Sequence, residues 1–336
     1  MLVREKLSTD PNVTAVGALT RLRAPAENRM LRIQRPSDDS FRSANLLPSR
    51  WWKTITRTNP DVVNLHWIGA GTMSIREVGN LDLPKVMTLH DMWAFSGSEH
   101  YGSDADDARW RTGYDRGNRP TGHRGPDIDR STWWRKHRHW RPFPVVCPSE
   151  WLATCARQSA LMANWPVYVI PNPLDLEVFA PTDKVAARQR LGLPTDQPLV
   201  LFGSADPAEP RKGFDLLLKA LRRVETTSAL GIVFGQDEPT HRPRLDFPLR
   251  WMGHIDAETD LANLYNAADV MVVPSRQENL VQTGTEAQAC GTPVVAFDVT
   301  GMPEVVGHQS SGSLATPFSP SDLAAGIDWV LAESSR

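Results

Sequence analysis

Short apolar runs, bounded by turn-forming residues, recur along the chain of 336 residues. Near-continuous apolar runs rich in β-branched residues are typical of strands in a parallel sheet that is covered on both faces. The pattern predicts strands at residues 61–68, 85–90, 143–149, 167–172, 198–205, 230–235, 269–275 and 292–297.

Helical periodicity fills several of the intervals between these runs. The apolar residues of 213–224 fall on one face of a helix, and residues 257–269 show the same pattern. The short segment 285–290 predicts a further helix that ends near Gly291, because glycine is common just past a helix end. Strands that alternate with helices predict a doubly wound α/β fold.

A proline-rich segment divides this pattern into two halves. Residues 171–181, PNPLDLEVFAP, have no regular period and predict a domain boundary. We therefore expect two Rossmann-like domains, residues 1–172 and residues 173–336, that face a central cleft. In such folds ligands bind beyond the carboxyl ends of the strands. The polar stretch 102–130 predicts a long insertion or a lid.

The two halves differ in charge. Residues 1–172 contain 24 Lys and Arg against 17 Asp and Glu, whereas the remainder contains 13 against 22. Much of the positive charge lies in WWRKHRHWR, residues 133–141, for which a solvated basic face is the simplest interpretation. A peripheral contact with anionic lipid headgroups or an anionic acceptor is the alternative. We expect no nucleic-acid partner, because no recognisable binding motif accompanies the patch.

The composition is that of an ordinary soluble globular protein, with 40% hydrophobic and 23% charged residues. No apolar run approaches the ~18 residues that indicate a spanning helix, and the first residues do not resemble a signal peptide. Cys147, Cys155 and Cys290 lack metal-ligand spacing. They are expected to be reduced thiols in a cytoplasmic protein.

Two adjacent cations, Arg211 and Lys212, lie between a predicted strand and a predicted helix in the segment PAEPRKGF. Cations are unfavourable at a helix N-terminus, where the helix dipole is positive. An anion bound between them would reverse that penalty, so the position favours a phosphate site. Two solvated loop charges are the alternative.

Two glutamates follow in the next strand–helix connection. Glu278 is predicted in the loop after a strand, and Glu286 in the short helix behind that loop. Carboxylates accept strong hydrogen bonds from hydroxyl groups. A ligand with hydroxyls at two places and a diphosphate between them, such as a nucleotide sugar, fits two acids and a pair of cations.

These motifs together resemble the retaining glycosyltransferases of family 4, which have the GT-B fold. Glu278 and Glu286, with seven residues between them, match its Glu-x7-Glu motif, and RKGFDLLLKAL matches its donor-diphosphate element. Further upstream, DVVNLHWI, TLHDMWAFSG, VVCPSEWL and VIPNPLD resemble a branch related to colanic-acid biosynthesis enzymes. The resemblance extends in the same order over nearly the whole chain.

The resemblance implies a hexosyltransferase of polysaccharide biosynthesis. It would move a hexose from a nucleotide diphosphate sugar to a glycan or lipid-linked acceptor with retention of configuration, without a metal or another cofactor. The implied catalytic residues are His90, Arg211, Lys212 and Glu278. The implied donor-binding residues are Gly203, Arg211, Lys212, Glu278, Asn279, Leu280 and Glu286, with Glu286 on the ribose and Glu278 on the transferred sugar.

Several positions depart from the family pattern. Val281 stands where many members have glycine, and Glu99 and Tyr114 lie in a region where the related branch often has cysteines, so we expect no metal site or disulfide there. The opening MLVREK resembles the second strand of the acceptor domain, which predicts a missing first βα unit and reduced activity. The C-terminus also stops before the usual closing helices.

Two other functions remain open from the sequence. A nucleotide-sugar 2-epimerase shares the fold and the donor, and a catalytically degenerate sugar-nucleotide binding protein would retain only the donor site. The sequence also contains two Asp-x-Asp patterns, at 104–106 and 127–129, that imitate a metal motif. Neither follows an apolar strand, and we expect solvated loop acids at both.

Overall fold

The computed structural model describes residues 1–6, 9–16, 23–38, 40–203 and 209–334. The chain forms two compact units, Met1–Pro171 and Asn172–Arg336. Each unit is built on its own parallel sheet with helices between the strands.

The first unit contains six of the described strands and six of the described helices. The strands are β1 (Leu2–Val3), β2 (Thr14–Ala15), β3 (Val63–His66), β4 (Lys85–Thr88), β5 (Val145–Cys147) and β6 (Val167–Val169). The helices are α1 (Arg23–Leu31), α2 (Trp51–Arg57), α3 (Ile75–Gly79), α4 (Arg109–Thr112), α5 (Ile128–His139) and α6 (Glu150–Gln158).

The second unit repeats the alternation of strand and helix. Its described strands are β7 (Leu199–Gly203), β8 (Leu230–Phe234), β9 (Leu249–Trp251), β10 (Val270–Val273), β11 (Val294–Phe297) and β12 (Gly312–Ala315). Its described helices are α7 (Lys184–Arg190), α8 (Phe214–Leu221), α9 (Glu258–Ala267), α10 (Gln282–Ala289) and α11 (Pro320–Ser334).

The sheet of the second unit has the strand order of a Rossmann fold. The order is β12-β11-β10-β7-β8-β9, and all of its pairs are parallel. The direction of strand succession reverses between β7 and β10, and ligands in such sheets bind outside the carboxyl ends of the strands at this switch point. The loops after β7 and β10 are therefore the first place to look for a site.

Both faces of this sheet are covered, as its sequence predicts. Along β10 the fully buried Met271 and Val273 pack into one apolar cluster, whereas Val270 and Val272 pack into a second one. Alternate residues of a strand point to opposite faces, so helices must lie on both sides. Because both faces of the sheet are buried, the strands of the second unit consist of almost continuous apolar residues.

The first unit has a four-stranded parallel sheet of order β3-β4-β5-β6. In the described residues β1 pairs only with β2, in a separate two-stranded parallel sheet. The strand β3 lies at an edge of its sheet, and only Leu65 of its four residues is buried. The carboxyl ends of β3 and β4 lie together, because His66 is in register with Thr88.

The eight predicted strands are present and shorter than their apolar runs, some by half, and residues 204–205 of the run 198–205 lie outside the described residues. The predicted helices at 213–224 and 257–269 correspond to α8 and α9, and the α/β fold class is confirmed. The short strands β9 and β12 were not predicted. The sequence LRW carries a charge at its centre and GSLA lacks β-branched residues, so neither shows a strand pattern. The polar stretch 102–130 contains α4 and the beginning of α5.

The prediction of solvated loop acids was wrong at 127–129. Asp127 caps the N-terminus of α5 and pairs with Arg109 at 2.7 Å. Asp129 is only 3% exposed and accepts hydrogen bonds from Gln34, Arg42 and Ser98. These buried polar contacts cannot be predicted from the periodicity of apolar residues. In the other pattern, Asp104 and Asp106 are exposed, as predicted.

The basic segment 133–141 is also not simply a solvated face. Most of it belongs to α5. Lys136 is fully buried, and Trp133 and Trp140 are only 6% and 3% exposed. The ammonium of Lys136 donates to the carbonyls of Trp93, Ser96 and Gly97. Of the tryptophans in the segment, Trp134 is the exposed one, at 45%. Part of the positive charge counted in this segment is therefore enclosed in the interior, where burial lowers the pKa of Lys136.

Candidate functional site

The loops after β7 and β10 are joined where the strand succession reverses. Gly213 has a φ of +68°, and a Cβ at this position would lie 1.9 Å from the carbonyl oxygen of Pro274. Only glycine permits that approach. The backbone N–H of Arg276 donates to the carbonyl oxygen of Arg211 at 2.7 Å, and the Arg276 guanidinium pairs with Asp215 at the start of α8. These contacts hold both loops in a fixed relation.

The joined loops bring three of the predicted site residues together. Arg211 and Lys212 lie in a short 3₁₀ turn before α8, and Glu278 lies in the loop after β10. The Glu278 carboxylate is 3.0 Å from the Arg211 guanidinium and 2.7 Å from the Lys212 ammonium. The anion between the two cations is therefore the carboxylate of Glu278. The sequence predicted a phosphate between the two cations, and that prediction stays open beside the contact with Glu278.

The charge of Glu278 is compensated although its side chain is buried. Burial alone would raise the pKa of this carboxyl, but the charges of Lys212 and Arg211 outweigh burial and lower it. The Ser275 hydroxyl donates a further hydrogen bond to the carboxylate at 3.0 Å. Glu278 is consequently ionised at neutral pH. The side chains of Lys212 and Arg211 remain 34% and 21% exposed, and Arg211 also pairs with Glu209 at 2.7 Å.

Glu286 is held in a different environment on α10. Its carboxylate accepts a hydrogen bond from the buried Tyr265 hydroxyl of α9 at 2.8 Å. Burial raises the pKa of Glu286, and the hydrogen bond from Tyr265 opposes that rise only in part. Glu286 is thus oriented by a neutral partner rather than by a cation, which leaves carboxylate lone pairs to accept hydrogen bonds from hydroxyls.

Asn279 and Leu280 lie in the loop that carries Glu278, and close packing fixes the backbone there. The carbonyl oxygen of Asn279 would be 1.5 Å from a Cβ at Gly301, so this neighbour must be glycine. The backbone N–H of Glu278 donates to the Thr300 hydroxyl at 3.1 Å. Val281 has an ordinary negative φ of −76° at the N-cap of α10, so this backbone does not require the family's glycine.

Gly203 is the last residue of β7. A Cβ at this position would lie 2.5 Å from the ring of Phe234 on the neighbouring strand, so packing already requires glycine. Residues 204–208, which include the beginning of the predicted phosphate loop, lie outside the described residues.

His90 belongs to the first unit, where it follows β4. Its Nε2 lies 3.0 Å from Nδ1 of His66, so one imidazole donates to the other. Burial, followed by the neighbouring His66, lowers the pKa of His90, and burial also lowers the pKa of His66. Both rings are therefore neutral at pH 7. They lie at the carboxyl ends of adjacent parallel strands, the usual edge for a ligand in this class of sheet.

Sequence reasoning missed the residues that orient the two glutamates. Tyr265 supports Glu286, and Ser275 and Thr300 support Glu278 and its backbone. Tyr265 lies on the apolar face of a helix, where an aromatic residue ordinarily indicates core packing. Ser275 lies three residues before Glu278, and that local spacing was a signal that could have been read.

Within the described residues, no group of three or more His, Cys, Asp or Glu is placed to hold a metal ion. Cys147, Cys155 and Cys290 are free and buried, and burial raises the pKa of each thiol. In the same part of the chain no helix is both long enough and apolar enough to cross a bilayer.

The strand order defines a Rossmann-type α/β protein with two cations at its switch point. Two family models match the chain one after the other. The model described as Glycosyltransferase Family 4 matches residues 12–178, and the model described as Glycosyl transferases group 1 matches residues 183–336. The chain therefore belongs to the group 1 glycosyltransferases of family 4, and its fold class is GT-B.

Curated relatives match part of the chain. A protein described as D-inositol 3-phosphate glycosyltransferase 2 from Catenulispora acidiphila is 38% identical over 179 residues, or 48% of this chain and 41% of the relative. The D-inositol 3-phosphate glycosyltransferase of Mycobacterium tuberculosis is 36% identical over 177 residues, or 48% of this chain and 35% of the relative. The matched segment thus spans less than half of either relative.

Solved structures share the fold over most of the chain. Sucrose-phosphate synthase from Thermosynechococcus elongatus has a TM-score of 0.64 at 22% identity, over 85% of this chain and 69% of that one. HepE from Anabaena, solved in complex with UDP-glucose, has a TM-score of 0.61 at 20% identity, over 84% and 73%. At these identities the likeness concerns the fold alone.

Proposed function

We propose that this protein is a glycosyltransferase that moves a hexose from a nucleotide diphosphate sugar to a glycan or lipid-linked acceptor. The observation that carries the proposal is the pair Arg211 and Lys212, which converges on a carboxylate at the switch point of a Rossmann sheet and remains partly exposed. The family membership and the UDP-glucose complex of HepE support a nucleotide sugar as donor.

In the proposed reaction, the donor diphosphate competes with Glu278 for the two cations. Arg211 and Lys212 then stabilise the negative charge that develops on the diphosphate as the glycosidic bond breaks, which is electrostatic catalysis. Glu278, ionised and buried, accepts hydrogen bonds from the hydroxyls of the transferred sugar. Glu286, oriented by Tyr265, accepts those of the ribose. Gly203, Asn279 and Leu280 let the loop backbone approach the donor.

The proposed stereochemical course is retention. The acceptor hydroxyl attacks on the face from which the diphosphate departs, and its proton passes to the departing phosphate oxygen. This course needs no covalent nucleophile and no metal ion. His90 is proposed to contact the reacting sugar through its neutral imidazole. We place the protein in polysaccharide biosynthesis in the cytoplasm, with a peripheral membrane contact through the basic first unit.

A thermal-shift panel of UDP-, GDP- and ADP-sugars tests the donor assignment. A ligand present at 100 times its dissociation constant stabilises the folded state by about 2.7 kcal/mol, so a matching donor raises the unfolding temperature measurably. We expect at least one nucleotide sugar to stabilise the wild type and to lose its effect on Arg211→Ala/Lys212→Ala. A panel without any stabilising nucleotide sugar would contradict the proposal.

Product analysis of the stabilising donor without an acceptor then separates the alternatives. Slow release of the free hexose and the nucleoside diphosphate is expected of a transferase that uses water as acceptor. Nucleoside diphosphate together with a C2-epimerised sugar indicates an epimerase instead. Binding without any turnover, also in the presence of glycan acceptors, indicates a degenerate binding protein.

A further inference from the structure

Two exposed aromatic side chains stack on each other in the first unit, and one of them, Trp67, lines a pocket. Phe41 is 51% exposed and Trp67 is 42% exposed, and their ring centroids are 6.1 Å apart at an interplanar angle of 19°. The buried imidazole of His100 contacts both rings at a tilt, with centroids 4.7 Å from Phe41 and 5.7 Å from Trp67. We call Phe41 and Trp67 the aromatic platform.

The platform is held in place by a buried chain of hydrogen bonds. The indole N–H of Trp67 donates to the Asp91 carboxylate at 3.1 Å, and Nδ1 of His100 lies 2.6 Å from the same oxygen. On its other side, Nε2 of His100 is 2.8 Å from the hydroxyl of the fully buried Ser43. An exposed tryptophan ring therefore has a fixed orientation.

Trp67 also has an unusual backbone conformation. Its φ is +35°, in a region that bulky residues rarely adopt. Such conformations cost about 1–3 kcal/mol and cluster at ligand-binding positions. The residue directly follows β3, at the carboxyl edge of the sheet. Folding stability alone does not account for Trp67, because its large apolar ring is exposed and its backbone conformation is costly.

The chemistry beside the platform fits a neutral, hydroxylated ligand. Trp67 lines a pocket together with Thr88, His90 and Asp91, and the lining residues described there include no Lys or Arg. Burial lowers the pKa of His90, so its ring is neutral at pH 7. Flat aromatic faces pack against the C–H faces of a pyranose, and the neighbouring imidazole and carboxylate can bond its hydroxyls. A phosphate group would find no cation among these lining groups.

We propose that the aromatic platform is a subsite for a sugar ring of the acceptor, with Trp67 as the stacking residue and Asp91 and His100 as its positioning residues. The assignment of this sugar to the acceptor rests on the proposed function. A stacked sugar ring would explain why the indole of Trp67 is both exposed to solvent and fixed in orientation. The proposed ligand of this pocket is therefore a carbohydrate rather than a simple lipid alcohol.

Saturation-transfer NMR with methyl α-glucopyranoside, methyl α-mannopyranoside and methyl α-galactopyranoside tests the subsite on the full chain. We expect at least one of these glycosides to receive saturation on its ring C–H protons. Trp67→Ala should weaken this binding about tenfold and Phe41→Ala about threefold, in the range of single aromatic contacts. Trp134→Ala is the matched control, because Trp134 is 45% exposed on α5 in the same unit, and it should bind like the wild type.

Three outcomes would overturn the proposal. They are no glycoside binding by the wild type, equal losses in Trp67→Ala and Trp134→Ala, and a UDP signal that depends on Trp67 while glycoside binding does not. If Trp67→Ala does not fold, Phe41→Ala decides alone, since its side chain is on the surface. Failure of the proposed donor function is distinguishable, because nucleotide-sugar binding would then be absent while glycoside binding still depends on Trp67.

Discussion

Glu278 in the second unit is buried and Glu99 in the first unit is half-buried, and the surroundings of the two carboxylates differ. Glu278 is in contact with two cations that are themselves partly exposed, and their charges lower its pKa. Glu99 accepts a hydrogen bond from the Tyr114 hydroxyl, and burial raises its pKa to about 7. One carboxylate is held charged beside solvent-accessible cations, and the other is enclosed with a neutral partner.

The lysines of the two regions show the same contrast. Lys212 bonds Glu278 and remains 34% exposed, whereas Lys136 is fully buried and bonds three backbone carbonyls. The ring of Trp93 lies 3.8 Å from the Lys136 ammonium. A cation that can exchange its partner is suited to binding a ligand, and one that is enclosed by carbonyls stabilises the fold. Net charge does not separate them, since the candidate anion site lies in the acidic half of the chain.

The largest expected effect separates these two lysines by stability. Lys136→Met removes the donor of three buried carbonyls and should lower the free energy of unfolding by about 3–5 kcal/mol, because each buried acceptor left without a donor costs about 1–3 kcal/mol. Lys212→Met should cost less, about 1 kcal/mol, because Arg211 and Ser275 still bond the Glu278 carboxylate and the Lys212 head group is partly solvated. Denaturant unfolding followed by circular dichroism measures both variants, because ten of the twelve tryptophans precede residue 172 and fluorescence would report mainly on the first unit. Equal losses would refute the distinction.

The next largest effect concerns turnover. Arg211→Ala and Lys212→Ala should each lower the transfer rate on the order of 10²–10³, the cost of removing one stabilising group from developing charge. Lys219→Ala is the control, because Lys219 is an exposed lysine on the following helix that pairs only loosely with Asp215 at 3.5 Å. Near-wild-type rates in both single variants would remove the pair from the mechanism.

The two glutamates of the site should separate binding from turnover. Glu286→Gln should weaken the affinity for the bare nucleoside diphosphate roughly tenfold to a hundredfold, the value of a charge-assisted hydrogen bond. Glu278→Gln should chiefly lower turnover, because its expected partner is the transferred sugar. Calorimetric titration with the nucleoside diphosphate and steady-state rates distinguish the roles. Equal losses of nucleotide affinity would show that this division is wrong.

A further expected effect is a pH dependence of stability that should belong to Glu99. Its raised pKa means that the folded state binds this proton more tightly than the unfolded state does. The resulting stability is fully present below pH 4.5, the ordinary value for a glutamate, and is lost as the pH rises toward about 7. Relative to the wild type, Glu99→Gln should therefore gain stability across that interval. A constant difference between the two proteins, with exposed Glu177→Gln as control, would contradict the assignment.

Local pattern predicted most of the fold and the main parts of the site. Continuous apolar runs gave the central strands, because both faces of the second sheet are covered. The sequence predicted Arg211, Lys212 and Glu278 in loops that follow strands and Glu286 on a helix. The structure places them there. Their contact depends on the parallel order of β7 and β10, which brings residues more than sixty positions apart to one edge.

The parts that were missed depend on tertiary contacts or on one uncharacteristic residue. Trp133, Lys136 and Trp140 share a helix face, so the spacing placed Lys136 on the apolar side, but its charge suggested a solvated position. The Tyr265 contact with Glu286 joins two helices, and no local spacing reveals it. The orientation of Trp67 likewise requires Asp91 from another strand end.

The central claim, that Arg211 and Lys212 bind the diphosphate of a nucleotide sugar, is tested most directly by phosphorus NMR of the bound nucleotide. Titrating the wild type with the stabilising nucleotide sugar should shift and broaden both diphosphate resonances, and Lys219→Ala should behave in the same way. The double variant Arg211→Ala/Lys212→Ala should leave both resonances at their free positions at the same protein concentration. Unchanged shifts in that variant relative to the wild type would contradict the account.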